Sequence, residues 1–168
     1  TGDDAANDVP EPYRLAPHTF PYTCRLEHDL KHSGVEVFAV TFPSPVVTPD
    51  AANNTVHAEF FRPKKPGKFP AVVVLDILQG NAVVSRGTAL WLAMHDVPAV
   101  AVTMPYYGPR RPPGSPTRMV SPDLPATVAN VRQTVLDCRR AAAWLADQPG
   151  VDGDRLGIVG TSLGGLVG

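Results

Sequence analysis

The stretch that decides the fold is Arg155-Leu156-Gly157-Ile158-Val159-Gly160-Thr161-Ser162-Leu163-Gly164-Gly165. Leu156 to Val159 is a short apolar run that reads as a buried strand. Behind it comes Gly160-Thr161-Ser162-Leu163-Gly164, a G-x-S-x-G pentapeptide, so the spacing predicts strand, sharp turn and helix with the serine at the apex. The turn forces the serine into a strained backbone conformation. Side chains two residues to either side would collide with the strand and the helix, which is why both positions hold glycine. The bland alternative is a Gly-rich turn with an incidental serine.

Such a serine suits acyl transfer, which needs an activated nucleophile, a base with its orienting acid, and donors for an oxyanion. Ser162 would supply the nucleophile. The N–H of Leu163 would be one oxyanion donor, and the loop after the 71–78 strand would supply the other. In the usual order for this elbow, the acid and the histidine follow the serine. All five histidines, His18, His28, His32, His57 and His95, precede it. The expectation is therefore the N-terminal portion of a larger domain. A C-terminal segment beyond Gly168, or a second chain, would complete it with the Asp and His. Without that completion the Leu156–Val159 strand would expose an unpaired, apolar sheet edge.

Upstream, residues 1–34 show no periodicity and read as a loose arm on the edge of a domain running from 35 to 168. Val35–Phe42 and Thr55–Arg62 alternate as strands. His57 lies within the second, where a sheet-surface role is the natural one. Ala71–Leu78 is a continuous apolar run suited to a central parallel strand. Residues 84–96 read as a helix with Ser85 as its N-cap, and 98–104 as a further buried strand. The proline-rich loop 105–122 follows the C-terminal end of that strand, where open α/β sheets place ligands. Tyr106, Tyr107, Arg110 and Arg111 are candidates there for an acidic or aromatic substrate, or form a solvated loop. Ser121-Pro122 should cap the next helix, whose apolar stripe is Val128, Val131, Val135, Cys138, Ala142 and Leu145. The element order is β-β-β-α-β-α-β, an α/β fold with a mostly parallel sheet and helices on both faces.

A resemblance sharpens this. Pro70-Ala-Val-Val-Val-Leu-Asp-Ile-Leu-Gln-Gly-Asn81 resembles the region around the same strand in dienelactone hydrolases. The likeness runs on through Trp91-Leu92, Val100–Tyr106 and the elbow, covering roughly residues 68–168. It implies the α/β-hydrolase fold, with Ile77 N–H and Leu163 N–H as the oxyanion donors. It puts Asp76 where the family has a glutamate that interacts with the nucleophile; otherwise Asp76 holds its loop through backbone hydrogen bonds. Gln79 would line the same site. Ser162 stands where that family has cysteine, which is more like the wider esterases and acyl-peptidases. The implied activity is a serine esterase acting on small carboxylic esters through an acyl-enzyme, with no metal or organic cofactor. The alternatives are a peptidase of the acylaminoacyl or prolyl oligopeptidase type, and a catalytically silent binding or scaffold member.

Composition agrees with a globular domain, at 43% hydrophobic and 18% charged. A net charge of −1 gives no electrostatic case for nucleic acid or an anionic membrane surface. No run is long enough to span a membrane. Two cysteines set no disulfide framework, and Cys138 should be a buried thiol. Asn53-Asn54-Thr55 matches a glycosylation sequon, a pattern short enough to arise by chance. The chain begins Thr1-Gly2-Asp3. A removed leader, implying a secreted or periplasmic protein, and a trimmed start both fit.

Overall fold

A computed structural model describes residues 4, 8–16, 19–78 and 81–168. Its strands are β1 (Thr23–Leu30), β2 (Val35–Pro43), β3 (Thr55–Pro63), β4 (Phe69–Leu75), β5 (Ala99–Val102) and β6 (Val151–Gly160). Its α-helices are α1 (Val83–Met94), α2 (Leu124–Ala146) and α3 (Leu163–Val167). The strands form one sheet in the order β1-β2-β3-β5-β4-β6.

The sheet is mixed. Pairings β1–β2, β2–β3 and β3–β5 are antiparallel, and parallel pairing is confined to β5–β4–β6. The reason is connectivity. A parallel neighbour needs a crossover of a dozen or more residues, usually a helix. Helices α1 and α2 supply such crossovers only between β4, β5 and β6, whereas β1–β2–β3 run on through turns.

Alternation along β4 gives each face its own core. Val73 and Leu75 join α2 residues Cys138, Ala141, Trp144 and Leu145, while Val74 joins Ala89 and Ala93 of α1. The Phe60 and Trp144 rings meet edge to face with centroids 5.3 Å apart.

Four sequence expectations are corrected. Residues 23–30, read as part of a loose arm, form strand β1 on the sheet edge. Its side chains are exposed on both faces, so no in–out alternation marks it. Helix α1 has no side-chain cap. It opens after Ala82 in a left-handed conformation (φ 67°), and Ser85 sits within the first turn, donating to Ala82 O at 3.2 Å. Helix α2 is capped by Asp123, whose carboxylate accepts from Ala126 N at 3.0 Å. Ser121 instead pairs with Thr127.

The fourth correction concerns burial. On α2, Val128 is 58% exposed while Cys138 and Leu145 of the expected stripe are buried, and the buried side also takes the polar row Asn130, Gln133, Thr134, Asp137 and Arg140. The apolar run of β6 lies at the end of the sheet, with Ile158 and Val159 46% and 40% exposed. Ile158 and Leu156 line a shallow apolar groove with Val135, Ala142 and Val167.

Candidate active site

Register places the site. Leu75 at the end of β4 pairs with Val102 of β5 on one side and Gly160 of β6 on the other. These strands are parallel. The residues that follow them, Asp76, Thr103–Tyr107 and Thr161–Ser162, therefore emerge in a row at one end of the sheet, where open α/β sheets bind ligands.

Ser162 is exposed at the turn between β6 and α3, with φ 54° and ψ −115°. A non-glycine residue in this region is strained, and surrounding structure must hold it there. The glycines do so by close approach. A Cβ on Gly160 would stand 2.1 Å from Gly164 C, and one on Gly164 would stand 2.6 Å from Asp76 O. Gly164 N–H bridges this gap by donating to Asp76 O at 3.1 Å. Both obstacles are backbone, which cannot yield as a side-chain tip would. Gly164→Ala is therefore expected to cost about 3 kcal/mol or more, read as a lowered midpoint in thermal unfolding.

The N–H groups of Gly165 and Leu166 are taken up by Ser162 O. The Leu163 N–H, at the first position of α3, precedes any intrahelical acceptor. Ile77 N–H is differently placed, donating to Asp76 Oδ1 at 2.9 Å. Asp76 Oδ2 accepts from Ala82 N at 2.8 Å, so the carboxylate holds the loop that leads into α1. Gln79 lies outside the described residues.

Two recesses open at this end of the sheet. The smaller, of about 160 Å³, is walled by Leu78, Tyr106, Tyr107, Arg111, Arg118 and Met119. The larger, of about 640 Å³, runs over β2, β3 and β5 and reaches His57, Asp76, Ser85 and Tyr107. Arg86 and Glu59 pair at its edge, Nη2 to Oε1 at 2.8 Å.

Arg110 goes elsewhere. Its side chain is fully buried. It donates from Nε and Nη2 to Asn53 O (3.3 and 2.8 Å) and from Nη1 to Thr103 O (2.9 Å). Asp137 Oδ2 lies 2.8 Å from Nη1 as an ion pair but accepts no aligned hydrogen bond. Asp137 Oδ1 accepts from Ser44 Oγ at 2.6 Å. Burial pushes the Asp137 carboxyl upward, and Arg110 and Ser44 pull it back. Gln133 and Asn53 complete the network, Asn53 Nδ2 donating to Gln133 Oε1 at 3.0 Å.

No motif in the sequence marks this network. Its one advance signal was the polar spacing 130, 133, 134, 137, 140 on α2, opposite the apolar stripe. Asn53 is completely buried, so its sequon is closed to modification in the folded chain. Cys138 is buried as expected, and desolvation drives its thiol well up from the ordinary value.

His57 is half-buried on β3, three strand-widths from β6, or about 14 Å, so it cannot bond Ser162. His95 caps the far end of α1, at the opposite end of the strands. His28 lies on β1 and His32 in the turn after it, across the sheet from β6. His18 falls outside the described residues.

Burial, with Arg110 adding, holds the His57 imidazole below its ordinary 6.5. Below that pH the unfolded chain binds a proton that the folded chain refuses, so stability falls as pH drops through 6.5. The thermal midpoint is expected to fall between about pH 7 and 5, and less steeply in His57→Gln. Among the described residues no cluster of three or more His, Cys, Asp or Glu could hold a metal. No described helix is long and apolar enough to cross a membrane.

No family model and no curated protein matches the sequence. Solved structures do match it. An acetyl xylan esterase from Paenibacillus sp. R4 superposes with a TM-score of 0.65 at 21% identity, over 89% of this chain and 48% of its own. A glucuronoyl esterase from Solibacter usitatus gives 0.58 at 17% identity, over 92% and 48%. A dienelactone hydrolase-like promiscuous phosphotriesterase from metagenomic libraries gives 0.52 at 23% identity, over 80% and 52%. The chain thus shares the α/β fold of these proteins and spans about half their length.

Proposed function

We propose that this chain carries the nucleophile of a serine carboxylic ester hydrolase. The observation that bears most weight is Ser162 itself. It is an exposed serine held at φ 54° on a strand-to-helix turn, between two glycines that admit no side chain. It stands in the row of strand ends that also holds Asp76, a residue of the larger recess. The esterase neighbours support the same reading through the fold they share.

In this reading Ser162 Oγ attacks the ester carbonyl and expels the alcohol, leaving an acyl-enzyme that water hydrolyses. Leu163 N–H stabilises the oxyanion. Ile77 N–H joins it once Asp76 Oδ1 releases that donor. No described histidine lies within reach of Ser162, so in this reading its base comes from outside the described residues.

Stopped-flow hydrolysis of p-nitrophenyl acetate by the full-length protein tests this. A burst of p-nitrophenol equal to the enzyme concentration, followed by slower turnover, is expected when deacylation limits the rate. Absence of both burst and turnover would refute the proposal.

A further inference from the structure

Among the described residues lining the two recesses, Tyr107 and Gly108 are common to both, so Tyr107 is the one shared residue with a side chain. Leu78 and Met119 close the smaller recess around it, and Asp76 and His57 belong to the larger. Tyr107 is half-buried and packs on the core that also takes Leu163, the residue after Ser162. The larger recess reaches Asp76, whose carbonyl accepts the N–H of Gly164, two residues after Ser162.

The backbone that presents this ring is strained and heavily tied. Tyr106 is buried and left-handed, with φ 60°. A bulky side chain keeps that conformation only where its surroundings impose it. Here Tyr106 N donates to Asn53 Oδ1 at 3.2 Å. Arg110, anchored to Asn53 O, Thr103 O and Asp137, donates its own N–H to Tyr107 O at 2.9 Å. The loop is thus fixed from both sides of Tyr107 by a network with no solvent exposure at Asn53 or Arg110.

We infer that Tyr107 is the specificity-determining partition of the site, and that Asn53, Arg110 and Asp137 are positioning residues that hold it upright. This rests on the esterase reading. Tyr107 separates a compartment for a small ester substituent from an open groove for a larger one. Removing the ring merges the two and relaxes the size limit on the smaller side. Lysine at 110 keeps the charge but cannot reproduce the planar fork that binds Asn53 O and Thr103 O together, so the ring loses its fixed position.

The test uses the full-length protein and two ester series. One varies acyl length on p-nitrophenol, and the other varies the alcohol on acetate. Wild type, Tyr107→Ala, Tyr107→Phe and Arg110→Lys are compared below the melting temperature of each. In Tyr107→Ala the ratio of kcat/KM for large to small substituents is expected to rise about tenfold or more in one series. Tyr107→Phe should keep the wild-type ratio, and Arg110→Lys should shift it in the direction of Tyr107→Ala. A Tyr107→Ala ratio unchanged in both series overturns the inference. So does an Arg110→Lys variant whose esters all slow by one common factor, since that is the mark of a merely structural role. Labelling of wild type by a fluorophosphonate is run alongside. A labelled enzyme with unmoved ratios defeats the partition alone, and an unlabelled one defeats the esterase reading beneath it.

Discussion

Ser162→Ala in the full-length protein is expected to lower kcat/KM for p-nitrophenyl acetate by at least about a thousandfold. The loss should fall on chemistry and leave folding intact. Ser162 is exposed, and its side chain caps no helix N–H. Alanine carries the same strained φ of 54° with the same Cβ, and the tight contacts of Gly160 and Gly164 are untouched. Thermal unfolding and circular dichroism should therefore match wild type while burst and turnover vanish together. Retained turnover would mean that another group attacks the ester.

The largest effect on stability is expected at Asp137. Its side chain and that of Arg110 are essentially fully buried. Asp137→Ala leaves the Arg110 guanidinium in the core without its counter-charge, and takes away the acceptor of the Ser44 hydroxyl proton as well. Breaking a buried pair in this way costs about 3–5 kcal/mol. In a domain of this size that lowers the melting midpoint by roughly 10 °C or more. Arg110→Met alone should cost a similar amount, and the Arg110→Met, Asp137→Leu double variant less than the sum. The double variant removes both charges, which is often neutral in a protein interior, although Asn53 O and Thr103 O lose their donors. A double-mutant cycle in urea checks the coupling, and strictly additive losses would deny it.

The elements that could be read in advance were those whose burial is periodic. Strands β2 and β3 alternate, β4 is apolar throughout, and the elbow glycines announce a close approach. Strand β1 was hidden because Thr23–Leu30 is exposed on both faces, so nothing in its sequence distinguishes in from out. The placing of β3 against β5 was hidden too, since it depends on pairings 38 to 44 residues apart in sequence, from Phe61 with Ala99 to Ala58 with Val102. On α2 the polar part of the buried surface was hidden, because polar side chains rarely go inside without partners. Those partners, Ser44, Asn53 and Arg110, come from three distant segments.

At the site, Ser162 was marked by motif and Asp76 by its place at a strand end. The function of Arg110 was not, because an arginine beside two tyrosines reads as a ligand group until its burial is known. Asn53 was disguised as a sequon, and only its position under the 103–110 loop shows it as the hub of that loop.

The central claim is that Ser162 is an activated nucleophile. Peptide mapping of the full-length protein after reaction with a fluorophosphonate tests it most directly. A single phosphonyl adduct on the peptide that contains Ser162, absent from Ser162→Ala, is the predicted result. An adduct on any other residue, or none in an enzyme that still hydrolyses p-nitrophenyl acetate, would contradict the claim.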